Sequence, residues 1–536
     1  MNVQWGPPTT RARRDLLLSA LHDAHDADGW LSPEALAGIA DALGLARAEV
    51  FGVASFYGSF SLVPRPRRVR RVCVDVTCVA AGAAVPTEGD PGVVAAPCLG
   101  RCEQAPVVLD TEGGRVIGRP PPRSPMPGVA PVPQPRDDLT LLRRVGLVDP
   151  TSLSEFQAHG GYAALEHVRA LGSKAVRAAI TASGLTGRGG AGFPAGRKWD
   201  AVALATGPTK YVIANADESE PGTFKDRVLL EHDPFALVEA MTIAGWAVGA
   251  TTGYVYVRDE YPEARDAVAH AITEAEAAGL LGDDAGRLGV PFRIELRRGA
   301  GAYICGEETA LFNSIEGHRG EPRTKPPFPV EAGLFGAPTL VHNVETLANV
   351  LRIFDPEGPR YETKLFAVSG SIASPGVYEV PVGTTLSDLL RLAGGVGAGR
   401  TLQAVLLGGA AGSFVRPEDV GVALTAEATR VIGATVGSGA VIVLDDTVDL
   451  AQVVLRVAAF FRDESCGQCV PCRVGTVRQE EALHRLASGA PLGSIDDEID
   501  LLRDVGAAMR DASICGLGQT AWNAVESAID RFGVFG

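Results

Sequence analysis

The sequence predicts a multidomain α/β protein. Its 536 residues are enough to form several separate hydrophobic cores. Residues 12–60 carry apolar side chains at helical spacing, including Leu17 and Leu21. From about residue 145 to 360, strand-like segments alternate with helical ones and with glycine-rich loops. The pattern is again mostly helical from Val448 onward.

Breaks in these patterns divide the chain into five units. The stretch Arg119–Arg136 is rich in proline and has no apolar periodicity, which is typical of a stiff linker. After the large α/β region, Leu365–Val368 and Val377–Val380 alternate like strands, and Thr385-x-x-Asp388 forms a capping box for a helix over Leu386–Leu392. The predicted units are a domain at 1–117, a linker at 118–142, an α/β domain at 143–361, a small domain at 362–446 and a helical domain at 447–536.

Individual strands are predicted from short apolar runs. Two of them, Val72–Val76 and Pro106–Leu109, lie in the N-terminal unit, and Tyr211–Ala214 and Tyr254–Val257 lie in the α/β region. The basic run Arg65–Arg71 precedes the first strand, and we interpret it as a solvated edge rather than as a binding patch.

Charge and hydropathy exclude several classes of protein. The net charge of −15 disfavours binding to nucleic acid or to an anionic membrane. Met1–Arg14 lacks the apolar core of a signal peptide. The uncharged stretch Ala240–Val257 approaches the length of a membrane span, but its helical pattern breaks at Gly249–Gly253. The residues Tyr254–Val257 that follow alternate like a strand. We therefore expect a buried helix followed by a strand, in a cytoplasmic protein without direct membrane insertion.

Eight of the nine cysteines fall into two sets of four. The N-terminal set is Cys73-x4-Cys78 with Cys98-x3-Cys102. Four thiolates satisfy the two irons of a [2Fe–2S] cluster, whereas structural zinc also accepts four thiolates. The spacing favours the iron cluster because zinc sites usually have the tighter C-x2-C spacing.

The C-terminal set is Cys466-x2-Cys469-x2-Cys472 with the distant Cys515. Three close thiolates can hold three corners of a [4Fe–4S] cube, and a remote thiolate can hold the fourth. Zinc is again the alternative, although this spacing is awkward for one tetrahedral ion. The ninth cysteine, Cys305, is predicted to be a buried, packed thiol.

The loop Gly187–Gly196 contains the pattern G-x-G-x-x-G. A dinucleotide-binding fingerprint needs a strand before it, but Ala175–Ser183 has a helical pattern. The glycines still allow backbone amides to approach a phosphate or a flat ring closely.

The N-terminal motifs are similar to a known family. Phe51-Gly-Val-Ala-Ser-Phe-Tyr57, the two cysteine pairs and Cys98-Leu-Gly-Arg-Cys102-Glu-Gln-Ala-Pro106 resemble the thioredoxin-like [2Fe–2S] subunit of respiratory complex I, the 24-kDa type. The stretch at 79–97 is shorter than is usual in that family, but the shortening removes none of the four cysteines.

The remainder of the chain, about 145–530, resembles the FMN- and NADH-binding subunit of complex I, the 51-kDa type. Five motifs in the family's order carry this resemblance: the loop Thr186–Gly196, Asn215–Gly222, Arg298–Thr309, Lys325–Pro329 and His342–Thr346. The resemblance implies a small β-grasp-like (SLBB-type) domain before a helical [4Fe–4S] bundle.

The resemblance also implies the residues of an FMN pocket and an NAD site. The residues expected to line the flavin phosphate and ring are Gly187, Arg188, Gly189 and Lys198. Those expected to bond the ring and ribityl chain, or to complete the pocket, are Asn215, Asp217, Glu218, Tyr303, Gly306, Glu307 and Asn343. Those expected to face the dinucleotide are Phe193, Glu220, Glu308, Lys325 and Phe328, with the two phenylalanines stacking on adenine.

Two positions depart from the pattern of the family. His342 stands where the family usually has asparagine, at a flavin contact, and Ala201 replaces a usual aromatic residue. We expect the first change to alter a flavin contact and the second to loosen the outer face of the nucleotide site.

These expectations combine into one function. Hydride transfer moves two electrons, clusters accept one, and a flavin can bridge the two. No side chain needs to act as an acid or base in the hydride step. Fusion of the two modules resembles the β subunit of NAD-dependent molybdenum or tungsten formate dehydrogenases, which implies a catalytic large subunit as partner. The alternatives are the diaphorase subunit of an NAD-reducing hydrogenase, the NADH dehydrogenase module of complex I, and a non-catalytic iron–sulfur scaffold or redox sensor.

Overall fold

The computed structural model of the protein describes residues 14–86, 89–119, 131–355 and 362–536. Strands within these ranges form three sheets, of four, five and four strands. Most of the N-terminal segment Met1–Arg14 and residues 120–130 of the predicted linker lie outside the described residues.

The chain begins with three helices, as the apolar spacing predicts. They are α1 at Leu17–Asp28, α2 at Pro33–Leu43 and α3 at Arg47–Ala54. Ser32 caps α2, since its side chain accepts a hydrogen bond from the Ala35 amide.

A small sheet follows in the order β2-β1-β3-β4. Its elements are β1 at Arg68–Cys73, α4 at Val76–Ala80, β2 at Val93–Ala96, β3 at Val108–Glu112 and β4 at Arg115–Gly118. Two expectations are corrected here. The first strand begins within the basic run and ends at Cys73, and β1 lies between two partners rather than at an edge. Arginines at Arg68 and Arg70 can occupy a central strand because they are exposed and alternate with buried Val69.

The large α/β unit contains a wholly parallel sheet in the order β7-β6-β5-β8. Its strands are β5 at Tyr211–Ala216, β6 at Thr252–Val257, β7 at Arg293–Arg298 and β8 at Thr339–Asn343. Its helices are α5 at Leu153–Ala158, α6 at Ala163–Leu171, α7 at Ser173–Ala182, α8 at Ala195–Leu204, α9 at Lys225–His232, α10 at Pro234–Val248, α11 at Pro262–Ala277, α12 at Glu308–Ile315, α13 at Pro329–Ala332 and α14 at Val344–Phe354.

The apolar stretch that approaches span length is buried in this unit. It forms the end of α10 and then β6, as predicted. In the described part of the chain, no helix combines the length and the apolar character that crossing a membrane requires.

The carboxyl ends of β5 and β8 place two predicted site residues side by side. Asn215 and Asn343 are aligned in the register of these neighbouring parallel strands. Ligands of parallel α/β sheets commonly bind at this edge.

The third sheet has the order β10-β9-β13-β11-β12. Its unit contains β9 at Thr363–Gly370, β10 at Gly376–Pro381, α15 at Leu386–Leu392, β11 at Leu402–Leu407, β12 at Ser413–Val415, α16 at Ala426–Val431 and β13 at Ala440–Asp445. The predicted cap of α15 is confirmed, because the Thr385 side chain accepts from the Asp388 amide at 3.1 Å.

The chain ends in a group of helices. They are α17 at Leu450–Asp463, α18 at Val470–Ala487, α19 at Ile495–Ala512, α20 at Gly516–Thr520 and α21 at Asn523–Phe532. The two sets of cysteines therefore lie in separate structural contexts, one in a small sheet and one among helices.

Candidate cofactor and cluster sites

The glycine-rich loop is closed by backbone hydrogen bonds before α8 begins. The Gly187 amide donates to the Phe193 carbonyl at 2.9 Å. The Arg188 amide donates to Thr346 Oγ1 at 2.9 Å. A Cβ at Gly189 would lie 3.2 Å from Cβ of Asn343, so glycine allows the loop to approach the end of β8 closely. The loop and the carboxyl edge of the sheet thus form the walls of one site.

Asn215 joins the end of β5 to a short turn at Tyr303–Gly306. Its Nδ2 donates to the Gly306 carbonyl at 2.8 Å, and its Oδ1 accepts from the Asp217 amide at 3.1 Å. Among the residues that the structure describes, Asp217 Oδ2 is buried without a hydrogen-bond partner, and burial raises the pKa of this carboxyl well above its usual range. An unpaired buried carboxyl oxygen fits a pocket in which a ligand supplies the missing donor.

Glu218 has a different environment. Its carboxylate accepts hydrogen bonds from Thr223 Oγ1, from the amides of Asp226 and Arg227, and from the Tyr261 hydroxyl. Burial, followed by Asp226, raises its pKa to about 7. The side chain therefore holds the start of α9, and its contact with flavin stays a prediction.

Glu220 and Tyr303 form a buried pair beside this turn. The Tyr303 hydroxyl donates to Glu220 Oε2 at 2.6 Å, and the Ala411 amide donates to Oε1 at 3.0 Å. Burial raises the pKa of Glu220 to about 7, although both hydrogen bonds favour its ionised form. The Glu220 carboxyl is thus expected to change its protonation state near neutral pH.

Two acids and two lysines form an ion-pair cluster at the start of α12. Glu307 caps the helix by accepting from the Thr309 and Ala310 amides at 2.8 and 2.9 Å. Glu308 lies 2.9 Å from Nζ of both Lys198 and Lys325. Burial opposes ionisation of Glu308, but the two lysines outweigh it and lower its pKa. The sequence predicts all four as binding residues, and the structure brings them together.

The two phenylalanines predicted to stack on the nucleotide are exposed. Phe193 is 45% exposed and Phe328 is 52% exposed. Arg197 and Lys198 lie over the Phe193 ring at 5.5 and 5.9 Å from its centroid. Exposed aromatic faces beside cations can accept a flat ligand ring that carries phosphate.

His342 is turned toward a core residue. Trp199 Nε1 donates to His342 Nε2 at 2.8 Å. Burial, assisted by Lys198, lowers the pKa of His342 to about 3, so the ring is neutral. Next to it, Asn343 Nδ2 donates to Asp226 Oδ2, and Asn343 caps α14.

The sequence reasoning missed a buried charge network beside the glycine-rich loop. Lys225 Nζ lies 2.8 Å from Asp226 Oδ1 and 3.0 Å from Glu345 Oε2. All three side chains are buried, and Glu345 also lies 3.9 Å from Arg188 Nε. The sequence did contain a signal for this network. Charged residues begin three positions after Gly222, the end of one motif, and recur in the motif that begins at His342.

The four N-terminal cysteines converge in the interior. Cys73 ends β1, Cys78 lies in α4, and Cys98 and Cys102 flank the turn after β2. All four are buried and free of disulfides. The thiol of Cys73 is within hydrogen-bonding reach of Cys78 and Cys98, and Cys98 Sγ lies 3.5 Å from Cys102 Sγ.

In residues 14–86, 89–119, 131–355 and 362–536, no three His, Cys, Asp or Glu side chains are arranged to hold one metal ion. Cys102, then Cys73, stabilise the Cys98 thiolate and lower its pKa well below its usual range. A gathered set of buried thiols, one of them favoured as thiolate, fits ligation of a cluster that distributes its sulfurs over two irons.

The C-terminal cysteines line a cavity of about 230 Å³ that opens to solvent. Cys466, Cys469, Cys472 and Cys515 all face it, together with Ile304. Burial raises the pKa of Cys472 to about 12 and that of Cys515 to about 11, so these thiols need a metal to ionise. Since Ile304 belongs to the turn that Asn215 holds, the cavity borders the predicted flavin site.

Comparison with family models places known domains on these elements. The Nuo51 FMN-binding domain matches residues 180–352, and the NADH-ubiquinone oxidoreductase-F iron-sulfur binding region matches residues 452–534. The thioredoxin-like [2Fe-2S] ferredoxin matches residues 8–89, and the SLBB domain matches residues 365–409. The first cysteine pair lies inside the ferredoxin match, and the second pair follows it.

Curated relatives decide the assignment. An NADH-quinone oxidoreductase subunit of Aquifex aeolicus (strain VF5) is 40% identical over 402 residues, which cover 73% of this chain and 92% of the relative. The chain belongs to the family of complex I 51-kDa-type subunits. In this member the 51-kDa-type part is fused to a thioredoxin-like [2Fe–2S] domain.

Other members of the 51-kDa-type family occur in hydrogenases. The NADP-reducing hydrogenase subunit HndC of Solidesulfovibrio fructosivorans is 41% identical over 400 residues, covering 73% of this chain and 81% of that one. The crystal structure of an NAD+-reducing [NiFe]-hydrogenase in the H2-reduced state matches with a TM-score of 0.81 and 32% identity, covering 97% of this chain and 92% of that chain.

Membership of the 51-kDa-type family confirms several predictions. The cofactors are FMN, NAD, one [2Fe–2S] and one [4Fe–4S] cluster, and the fold comprises the four predicted kinds of domain. The chain is an NADH-oxidising flavin and iron–sulfur electron-transfer subunit.

Proposed function

We propose that the chain is the NAD-linked diaphorase subunit of a larger enzyme and that a separate catalytic subunit supplies or receives its electrons. One observation carries this proposal. The turn Tyr303–Gly306 contacts the predicted flavin site, because the Gly306 carbonyl accepts a hydrogen bond from Asn215. The same turn contacts the cavity of the C-terminal cysteines, because Ile304 lines that cavity. A single turn thus separates a hydride-accepting site from a one-electron site.

In this proposal the residues of the flavin site position the cofactor. The closed loop Gly187–Phe193 is proposed to present backbone amides to the phosphate of FMN. The unpaired Asp217 Oδ2 is proposed to accept a hydrogen bond from FMN. Bound FMN supplies the chemistry that links two-electron and one-electron transfer. No side chain has to carry a proton in the hydride step, so geometry is the main contribution of the protein.

The NAD site is proposed to lie at the exposed side of the same pocket. Phe193 and Phe328 offer ring faces, and the cluster of Lys198, Glu308 and Lys325 offers charges of both signs. Glu220 lies deeper, with its carboxylate fixed by Tyr303 and Ala411. These positions fit a dinucleotide that enters over the aromatic rings.

The N-terminal [2Fe–2S] site is proposed to exchange electrons with the same flavin. Its loop is attached to the flavin domain by the buried Arg258, which donates to the carbonyls of Cys98 and Glu218. The nine cysteines, none of them in a disulfide, fit the reducing cytoplasm in which we place the protein.

For the catalytic partner we propose the large subunit of a molybdenum or tungsten formate dehydrogenase, on the basis of the fusion of both modules in one chain. A hydrogenase is the second candidate. The full-length similarity to the NAD+-reducing [NiFe]-hydrogenase structure specifically favours it. Complex I is the third, since a curated NADH-quinone oxidoreductase relative matches 73% of this chain.

Native co-purification followed by metal analysis separates these candidates. We expect molybdenum or tungsten in the complex, together with formate-dependent reduction of NAD. Nickel in the complex and hydrogen-dependent NAD reduction without formate activity would replace the first candidate by the second. A purified chain without releasable FMN would instead indicate a cluster scaffold and overturn the diaphorase role.

A further inference from the structure

A second cavity lies between the N-terminal helices, the small sheet and the flavin domain. Its volume is about 600 Å³ including its opening to solvent. None of the residues predicted to bind FMN, NAD or a cluster lines it. Four arginines do so, namely Arg65, Arg67, Arg71 and Arg298, together with His22 and three acids.

The acids of this cavity already have cationic partners. Asp26 and Asp259 lie 2.6 and 2.7 Å from the guanidinium of Arg298. Glu260 lies 3.1 Å from Arg258, which is outside the lining. Burial opposes ionisation of Asp259, but Arg298, assisted by Arg71, outweighs it and lowers the pKa of this carboxyl, so the acid is charged. The three carboxylates are therefore engaged by Arg298, Arg258 and, more distantly, Arg71.

The remaining arginines lack a close anion. Within the described ranges, no carboxylate lies within 4 Å of Arg65 or Arg67, and the nearest one to Arg71 is Asp259 at 3.9 Å. Arg65 instead donates to the Gly29 carbonyl at 2.9 Å and to His25 Nε2 at 2.7 Å. Burial and the adjacent Arg71 lower the pKa of Arg65 to about 10. Arg65 and Arg71 are partly buried and repel one another, and such guanidiniums favour binding of an anion.

Two buried atoms that belong to lining residues have no hydrogen-bond partner in the described part of the chain. They are Arg71 Nε, a donor, and His22 Nδ1. His22 is 4% exposed, and its Nε2 lies 2.8 Å from the Gly299 carbonyl. Burial lowers the pKa of His22 to about 4, so the ring is neutral, Nε2 carries the proton and Nδ1 is an acceptor.

We propose that this cavity binds an oxyanion of the phosphate class that carries a hydroxyl group. The guanidiniums of Arg65, Arg67 and Arg71 contact its charged oxygens, and His22 Nδ1 accepts a hydrogen bond from its hydroxyl. Hydrogen phosphate is the smallest such ligand, because it combines two negative charges with one O–H donor. Sulfate has the same charge and shape but no hydroxyl at neutral pH.

The test measures binding of radiolabelled inorganic phosphate to the full chain with its flavin and clusters, by equilibrium dialysis at constant ionic strength. Saturating NAD+ occupies the Lys198–Lys325 cluster during the measurement. We expect saturable binding of one phosphate, with sulfate competing roughly two- to tenfold more weakly because it leaves His22 Nδ1 unpaired.

Matched variants identify the site. Arg67→Gln should weaken phosphate binding roughly three- to tenfold, and adding Arg65→Gln should weaken it further. The control is Arg68→Gln, which removes the same charge from the neighbouring position, outside the cavity. Arg67 and Arg68 are exposed, so both single variants should fold and keep NADH–acceptor activity.

Three results would overturn the proposal: absence of saturable binding, equal weakening by Arg67→Gln and Arg68→Gln, or sulfate competing as well as phosphate. A further arm separates free phosphate from a larger phosphate monoester. If glucose 6-phosphate displaces the label at lower concentration than unlabelled phosphate, the occupant is a phosphate monoester. If it needs an equal or higher concentration, or does not displace the label, the occupant is free phosphate.

Discussion

Arg258 donates a hydrogen bond of 2.7 Å to the carbonyl of Cys98 and so attaches a cluster loop to the flavin domain. A second bond of 2.6 Å reaches the Glu218 carbonyl, and Glu260 neutralises the buried guanidinium. Because burial alone would lower the pKa of Arg258, the net rise shows how strongly Glu260 and the surrounding groups stabilise its charge.

Replacing this arginine should loosen the [2Fe–2S] domain. Arg258→Gln leaves the Glu260 carboxylate and the Cys98 carbonyl without their arginine partner in the interior, which costs about 3–5 kcal/mol of unfolding free energy. Thermal unfolding followed by cluster absorbance measures the effect. Arg510→Gln, at an exposed ion pair with Asp511, is the control and should change stability by less than about 1 kcal/mol. Equal stability of both variants would contradict the attachment.

The C-terminal tetrad should hold its cluster independently of the N-terminal one. The wild-type chain should contain about six irons, and Cys469→Ser should remove the [4Fe–4S] signal and leave about two irons. Electron paramagnetic resonance and iron analysis check this. Cys305→Ser is the control, since Cys305 is a buried thiol outside both tetrads. Stoichiometric zinc without iron after anaerobic purification would refute the ligand assignments.

Asp217 should determine FMN retention. Its Oδ2 is buried and unpaired, so loss of the carboxyl in Asp217→Ala removes a hydrogen bond that only a ligand can form. We expect roughly ten- to hundredfold weaker FMN binding in fluorescence titrations of the deflavinated chain. Asp266→Ala, at an exposed acid, should bind FMN like the wild type. Unchanged flavin content and turnover in Asp217→Ala would mean that the pocket lies elsewhere.

Glu308 should reject NADP(H). The carboxylate neutralises Lys198 and Lys325, and a 2′-phosphate placed there would meet its negative charge. Glu308→Gln frees Lys198, while Lys325 keeps its ion pair with Glu307, and it should raise the ratio of kcat/KM for NADPH to that for NADH by roughly ten- to hundredfold. Steady-state kinetics with both nucleotides measure the ratio. Glu295→Gln, at a surface acid paired with Arg297, should leave it unchanged. If the NADPH/NADH ratio is unaltered in Glu308→Gln, then Glu308 does not discriminate between the two nucleotides.

The Tyr303–Glu220 pair predicts a pH dependence. Burial places the pKa of Glu220 at about 7, and the Tyr303 hydroxyl favours the ionised form. Tyr303→Phe removes that donor, so the inflection near neutral pH in the kcat/KM profile for NADH should move upward by roughly one pH unit. Tyr211 does not hydrogen-bond to Glu220 in the described part of the chain, so Tyr211→Phe is the control and should keep the wild-type profile. A downward shift in Tyr303→Phe would contradict the role of the hydroxyl.

Much of the cofactor chemistry could be predicted from local sequence. The spacing of Cys466, Cys469 and Cys472 indicates a cubane because three ligands of one cluster lie within seven residues. The helix α15 and its Thr385 cap follow from a four-residue pattern. The bounds of the first strand could not be predicted, since alternating exposed arginines in a central strand resemble a surface loop until both neighbouring strands are known.

The sequence by itself determined the kinds of domain, the cofactors and the residues of the named motifs, because each depends on short-range spacing or on motif order. Only the tertiary structure decided what those residues contact. Arg258 lies 160 residues from Cys98, and Lys198 lies 110 residues from Glu308, so no local pattern links them. The free energy of burying a charge depends on partners brought together by folding, and these long-range pairings are therefore visible only in the folded chain.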